Sequence, residues 1–173
     1  GTFELELVNH GRASHVHVHP DDALARGVHL DETNLYVETD STRLSIALQP
    51  DGDASWEVVY RIRLETQNDT EAFESLRQDI RNDSTAYTDR FGDRMGRIAN
   101  SSENATGRSM AIENVTVGTR TQPNYGLLVY EFEWEQFAAV DGDTIRAGDA
   151  IDQFYLDSQT SLEIGWPEGY VSD

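Results

Sequence analysis

The chain contains no cysteine. Disulfides, thiolate metal sites and a cysteine nucleophile are therefore excluded, and nothing follows about redox compartment. Lysine is absent too, so all thirteen basic side chains are arginines. No run of eighteen apolar residues occurs in the 173 residues, which leaves no stretch able to cross a bilayer as a helix. The first residues lack the pattern of a secretory leader. A concentrated basic footprint is also missing. Nucleic acid is then a poor partner, and anionic membrane surfaces repel the chain.

What is present is acid. Thirty-two Asp and Glu residues against thirteen arginines give a formal net charge of -19. Charge on this scale bears on solubility and self-repulsion rather than on fold. Repulsion is relieved in dense salt, where the Debye length falls to about 3 Å at 1 M. The composition predicts a salt-adapted protein whose acidity is a solvation coat. Hydrophobic residues make up 38%, with three tryptophans, seven tyrosines and six phenylalanines. That is enough for the core of one domain, or one domain plus a small module.

Periodicity divides the chain. Thr2 to Val8 and Ser14 to His19 alternate as strands, and Leu35 to Thr39 reads as a third. Leu44, Ile46 and Leu48 share one face, as do Trp56, Val58, Tyr60, Ile62 and Leu64. Between them Pro50-Asp51-Gly52-Asp53 predicts a hairpin turn. The period then becomes helical. Asn68 or Asp69 caps a helix carrying Ala72, Phe73, Leu76 and Ile80. A break at Asn82-Asp83-Ser84 leads to a second helix with Tyr87, Phe91, Met95 and Ile98, fraying near Asn100-Ser101-Ser102. Strands resume at Met110–Thr119, Tyr125–Phe137, Phe154–Leu156 and Ser161–Trp166. The expected fold is α+β, an antiparallel β-sheet with a two-helix hairpin inserted between strands and packed on one face. An N-terminal β segment, residues 1–42, precedes the α+β domain at 43–173. It is either a partial module or a set of strands added to that domain.

Two groups of residues suggest chemistry. Asn68, Asn82, Asn100, Asn104 and Asn114 each begin an Asn-x-Ser/Thr triplet, five of the eight asparagines. Chance predicts roughly one such triplet, so glycosylation and an extracytoplasmic location are expected. Four of the five fall at predicted helix ends or in loops. His15, His17 and His19 alternate with Val16 and Val18, and Asp21 and Asp22 follow. Imidazoles two apart on a strand can share a divalent metal with a carboxylate. Same-face neighbours lie about 7 Å apart, so a third imidazole needs a bend. The plainer alternative is a polar outward strand face. His10 and His29 are isolated.

Other carboxylates read as structure. Glu131, Glu133 and Glu135 form an outward ladder, and Arg61 and Arg63 pair with it if their strands are neighbours. Asp51-Gly52-Asp53 and Asp141-Gly142-Asp143 lack the spaced ligands of a calcium loop and read as turns. No Gly-x-Ser-x-Gly elbow, phosphate-cradling glycine loop or His-Glu-x-x-His occurs, so an enzyme is not expected.

The stretch from about Leu44 to Tyr170 carries several longer motifs. They are Gln49-Pro-Asp-Gly-Asp-Ala-Ser-Trp56, Thr70-Glu-Ala-Phe-Glu-Ser-Leu76, Asp89-Arg-Phe-Gly-Asp-Arg-Met95 and Glu103-Asn-Ala-Thr-Gly-Arg108. Tyr125-Gly126, Phe132-Glu-Trp134 and Phe154-Tyr-Leu-Asp157, leading to Trp166-Pro167, complete the set. In these it resembles an uncharacterised haloarchaeal domain family. That resemblance implies an exported module, followed in the family by a transmembrane helix and often a cytoplasmic winged helix-turn-helix. Residues 3–38, with His15-Val-His-Val-His-Pro-Asp-Asp-Ala-Leu24, resemble the start of another haloarchaeal membrane-associated β-rich family. They depart from it where Pro20 interrupts the strand. Neither resemblance supplies catalytic or ligand residues.

The expectation is a non-enzymatic extracytoplasmic sensory or protein-interaction domain. It would be membrane-anchored through a segment outside this stretch, with a protein partner or envelope component and no cofactor. A metal-binding module on His15, His17 and His19 is the alternative, and an enzyme acting on an envelope polymer the third reading.

Overall fold

The computed structural model describes residues 6–9, 15–18, 39–151 and 156–172. The strands are β1 (Glu6–Asn9), β2 (His15–Val18), β3 (Ser41–Leu48), β4 (Ala54–Arg63), β5 (Ala111–Gln122), β6 (Tyr125–Glu135), β7 (Ala139–Asp141), β8 (Thr144–Arg146), β9 (Thr160–Gly165) and β10 (Tyr170–Ser172). Helices α1 (Gln67–Asn82) and α2 (Thr85–Thr106) lie between β4 and β5, and the short α3 (Gly148–Ile151) follows β8. The chain is thus α+β. The predicted strands at Leu35–Thr39 and Phe154–Leu156 fall almost wholly outside the described residues.

Six strands form one sheet in the order β2-β9-β3-β4-β6-β5, and four form another in the order β10-β1-β8-β7. The larger sheet is mixed, which corrects the expected antiparallel arrangement. β9 runs parallel to β3, with Leu44 opposite Leu162 and Ile46 opposite Ile164. A parallel neighbour needs a long crossover. Here the stretch from β4 through α3 lies between β3 and β9 in the chain. β1 pairs with β8 and β10, while β2 pairs with β9.

The β3–β4 hairpin closes as its turn residues dictate. Asp51 Oδ1 accepts the Asp53 backbone N–H at 3.0 Å, and the Gly52 N–H donates to the Gln49 carbonyl. Gly52 has φ 92°, and a Cβ there would come 2.5 Å from the Ala138 carbonyl oxygen. Only glycine fits both demands. Asp53 Oδ1 accepts the Gln136 N–H at 2.8 Å, which ties this turn to the end of β6. Asp141-Gly142-Asp143 likewise forms the turn between β7 and β8.

Helix α1 begins two or three residues earlier than the predicted caps, Asn68 or Asp69, imply. Its cap is Thr66, whose hydroxyl accepts the Asp69 N–H at 3.1 Å while Asp69 Oδ2 accepts the Thr66 N–H at 2.8 Å. Asp69 serves the cap from inside the first turn rather than being the cap. Helix α2 does not fray at Asn100. It continues to Thr106 and stops at Gly107, in the left-handed conformation at φ 74°. Ser102 is buried with Ile98 and Ala99, so the polar triplet lies on a helix anchored through it.

One core cluster takes Leu44, Ile46 and Leu48 from β3, Trp56 to Ile62 from β4 and Leu128 to Trp134 from β6 at alternate positions. It also takes Phe73, Leu76 and Ile80 from α1 and Phe91, Met95 and Ile98 from α2. Trp56 stacks on Phe132 and on Trp134, both at 5.6 Å, and Phe91 stacks on Tyr130 at 4.0 Å. Each buried aromatic contributes roughly 1.5–3 kcal/mol through the area it removes from water. α1 meets β6 at Gly126, where the Phe73 ring occupies the space a side chain would need.

Candidate functional site

Alternation sends every second residue of the six-stranded sheet to the face opposite this core. The register lines them up in rows. One row reads Glu163, Ser45, Glu57, Glu131 and Thr116 from β9 across to β5. The next reads Gly165, Ala47, Ser55, Glu133 and Glu113. The middle of both rows is small, with serine, alanine and glycine, while longer glutamates flank it. A groove of about 550 Å³ results, lined among others by Ser45, Ala47, Ser55, Gly165 and the carboxylates of Glu57, Glu131, Glu133 and Glu163.

Like charges directly opposite on adjacent strands repel, and Glu57 faces Glu131 in the register. Two arginines offset the repulsion. Arg43 Nη2 lies 3.4 Å from Glu57, and Arg120 Nη2 lies 3.5 Å from Glu57 and 3.9 Å from Glu131. These pairs are solvent-exposed and contribute about 0–1 kcal/mol each. Glu133 is held differently. Ser55 Oγ lies 2.9 Å from both of its carboxylate oxygens, and Gln49 Nε2 donates to it at 3.5 Å. The groove thus presents carboxylates around a small-residue floor, an arrangement whose charge and shape complement a cationic group.

The proposed pairing of Arg61 and Arg63 with the glutamate ladder is not what forms. β4 and β6 are neighbours, but the register sets Arg61 opposite Leu127 and Arg63 opposite Tyr125. Both arginines reach Asp40 instead, at 3.4 and 3.6 Å. Arg63 also pairs with Glu65 at 3.1 Å, and Arg61 lies 4.0 Å over the Tyr125 ring. Sequence reasoning identified Glu131 and Glu133 as outward. It missed Glu57 and Glu163, whose proximity to them depends on register.

Of the candidate metal ligands, His15 and His17 occupy β2 in register with Gly165 and Glu163. His19, Asp21 and Asp22 lie outside the described residues. Among the described residues no group of three or more His, Asp or Glu converges as a metal site. All five sequon asparagines are exposed. Asn68 lies in the first turn of α1 and Asn82 at its end. Asn100 and Asn104 sit within α2, not in a frayed end or loop. Asn114 lies at an irregularity of β5, between Glu113 and Thr116, with φ 55°. It lines the groove.

The model of a family described as a domain of unknown function (DUF7345) matches residues 45–170. A second, described as a family of unknown function (DUF7524), matches residues 1–56. No curated protein matches the chain. The groove residues from Ser45 to Gly165 all fall within the first match.

Proposed function

The chain belongs to the DUF7345 family of domains of unknown function, and from that premise we propose a role read from its own surface. It is a non-enzymatic sensory or protein-interaction domain on the extracytoplasmic side of a membrane-anchored, salt-adapted archaeal protein. The α1–α2 hairpin packs on the core face of the larger sheet, and the opposite face receives the partner. The observation that carries this reading is the groove between Glu57, Glu131, Glu133 and Glu163. Its occupant is a cationic segment of a protein partner or envelope component. Carboxylates already engaged by Arg43, Arg120 and Ser55 are suited to recognition by charge and shape, and complementary charge gives specificity and fast encounter. The outward sequons and the net charge of -19 support the extracytoplasmic, high-salt setting.

The test is a titration of the isotope-labelled chain with a short arginine-rich peptide. Amide shifts confined to Ser45, Glu57, Glu131 and Gly165, and lost in a Glu57→Gln/Glu131→Gln variant, are expected. Shifts spread evenly over the acidic surface would remove the groove as the site. Protease sensitivity of the domain on intact cells tests the location, and full protection would place it elsewhere.

A metal-binding reading draws on one further observation, the register of His17 with Glu163 at the groove's edge. Metal content of the purified chain, lost in His17→Ala, would support it. Metal-free protein after growth and purification with added zinc would dispose of it.

A further inference from the structure

Of the five sequon asparagines, four sit on α1 or α2, the helices that cover the core face of the larger sheet. Asn114 alone of the five lines the groove on the opposite face. Thr116, the hydroxyl residue of the same sequon, lines it too, and both residues are exposed. The acceptor amide and the hydroxyl that makes it an acceptor thus stand together at the groove wall.

The irregularity in β5 is what aims Asn114 there. Glu113 pairs with Glu133 and Thr116 with Glu131, so Asn114 and Val115 together stand opposite the single Phe132. Val115 takes the core direction. It packs against the core cluster, and a Cβ on Gly92 of α2 would lie 3.5 Å from its Cγ2. Asn114 is the extra residue, at φ 55°, a left-handed conformation that asparagine tolerates better than most. A bulge re-aims a side chain in this way. Under strict alternation residue 114 would follow Glu113 to the core face, beneath α2. The groove also suits a sugar. Ionised Glu57, Glu131 and Glu133 accept hydrogen bonds, sugar hydroxyls donate them, and the floor of Ser45, Ala47 and Gly165 leaves room above it.

We propose, building on the reading of the groove as the partner site, that Asn114 carries an N-linked glycan that folds over the groove and controls access to it. In the attachment step Asn114 Nδ2 attacks the anomeric carbon of a sugar carried on a lipid phosphate. The C–N bond forms and the bond from that carbon to the phosphate oxygen breaks. The lipid phosphate leaves with the electron pair, and the amide loses one proton to a base of the transferase. The tethered sugar then competes with an incoming cationic group from within the same molecule, at high effective concentration. Chains left unmodified at Asn114 are the ones open to a partner.

The experiment compares isotope-labelled protein from the native host with an Asn114→Gly variant from the same host. Glycine accepts the positive φ, and the other four sequons remain. Mass spectrometry of the peptide containing Asn114 should show the glycan in the parent. A neutral gadolinium chelate in solution should relax the Ser45 and Gly165 amides more strongly in the variant, where nothing covers them. Asn104→Gln, which removes a glycan from α2, should leave that relaxation as in the parent. The short arginine-rich peptide should bind the glycosylated parent with a Kd about tenfold weaker than the variant. Thr116→Val, which removes the acceptor but keeps Asn114, should behave as Asn114→Gly does, and it decides should that variant fail to fold. Thr116→Ser, which keeps the sequon, should behave as the parent. An unmodified Asn114 overturns the proposal, as does equal relaxation in parent and variants. A peptide that binds neither form, with the relaxation difference intact, upholds the glycan cover and sinks the cationic-partner reading instead.

Discussion

Gly126→Ala places a methyl group where the ring of Phe73 already lies. The new Cβ would sit 2.6 Å from Phe73 Cε2 and Cζ and 2.7 Å from Cδ2. The ring cannot swing into solvent, because Phe73 is 2% exposed and packed between α1 and the sheet. Two effects oppose each other. Alanine restricts the unfolded chain and thereby stabilises by about 0.4–1 kcal/mol. Overpacking a filled core costs about 1–3 kcal/mol. The second dominates, and a net loss of about 1–2 kcal/mol follows, with a midpoint lower by about 2–8 °C. Urea unfolding in molar sodium chloride, with the slope unchanged, measures it. The companion variant is Phe73→Leu, which shrinks the ring. Combined with Gly126→Ala it should lose at least about 0.5 kcal/mol less than the two single losses added. A Gly126→Ala protein as stable as its parent, or strict additivity in the double variant, would refute this contact between α1 and β6.

Four further outcomes are expected. Thr66→Ala removes the cap of α1 and should cost about 0.5–2 kcal/mol by urea unfolding. In the parent, the backbone hydrogen bond from Thr66, then its side-chain bond, hold the Asp69 pKa below the ordinary value. That stabilisation is present above the unfolded pKa and is lost as pH falls through the folded one. Asp69 titration by NMR should therefore move back towards the ordinary value in Thr66→Ala. Arg108 donates to Asp149 through two nitrogens, at 2.6 and 3.0 Å, and to the Phe137 carbonyl at 2.7 Å. Arg108→Lys cannot reproduce that fork and should cost about 1.5–3 kcal/mol. Lowering salt from 1 M to 0.1 M lengthens the Debye length from about 3 to 10 Å. The midpoint should fall as the charge of -19 loses its screening, and a salt-independent midpoint would contradict the salt-adapted reading. Intact mass of protein from its native host should reveal glycans on the exposed sequons, and an unmodified mass would count against them.

Much of the larger sheet was legible because alternation and turn chemistry agree there. Leu44 to Leu48 and Trp56 to Ile62 each show a two-residue period, and Pro50 to Asp53 can only turn. Thr66 escaped notice because Asn68 and Asp69 are equally good cap formers, and its reciprocal partner is an aspartate. β7 and β8 are three residues each, too short to show any period. The groove was half legible. Outward Glu131 and Glu133 follow from alternation within β6. That Glu163 lies across from Ser45, and hence near Glu57, depends on β9 entering beside β3. Nothing local to either strand encodes that pairing.

The irregularity at Asn114 has a consequence for solubility. Among the described residues β5 pairs only with β6, so its outer edge is a template for aggregation. The displaced residues between Glu113 and Thr116 divide that edge into two shorter tracts. An incoming strand that matches Thr116 to Gln122 falls out of step at Asn114, and a glycan attached there would bar its approach. On the salt-adapted reading, charge repulsion does not keep copies apart, because dense salt screens it. A break in the edge still works when the charges are silent.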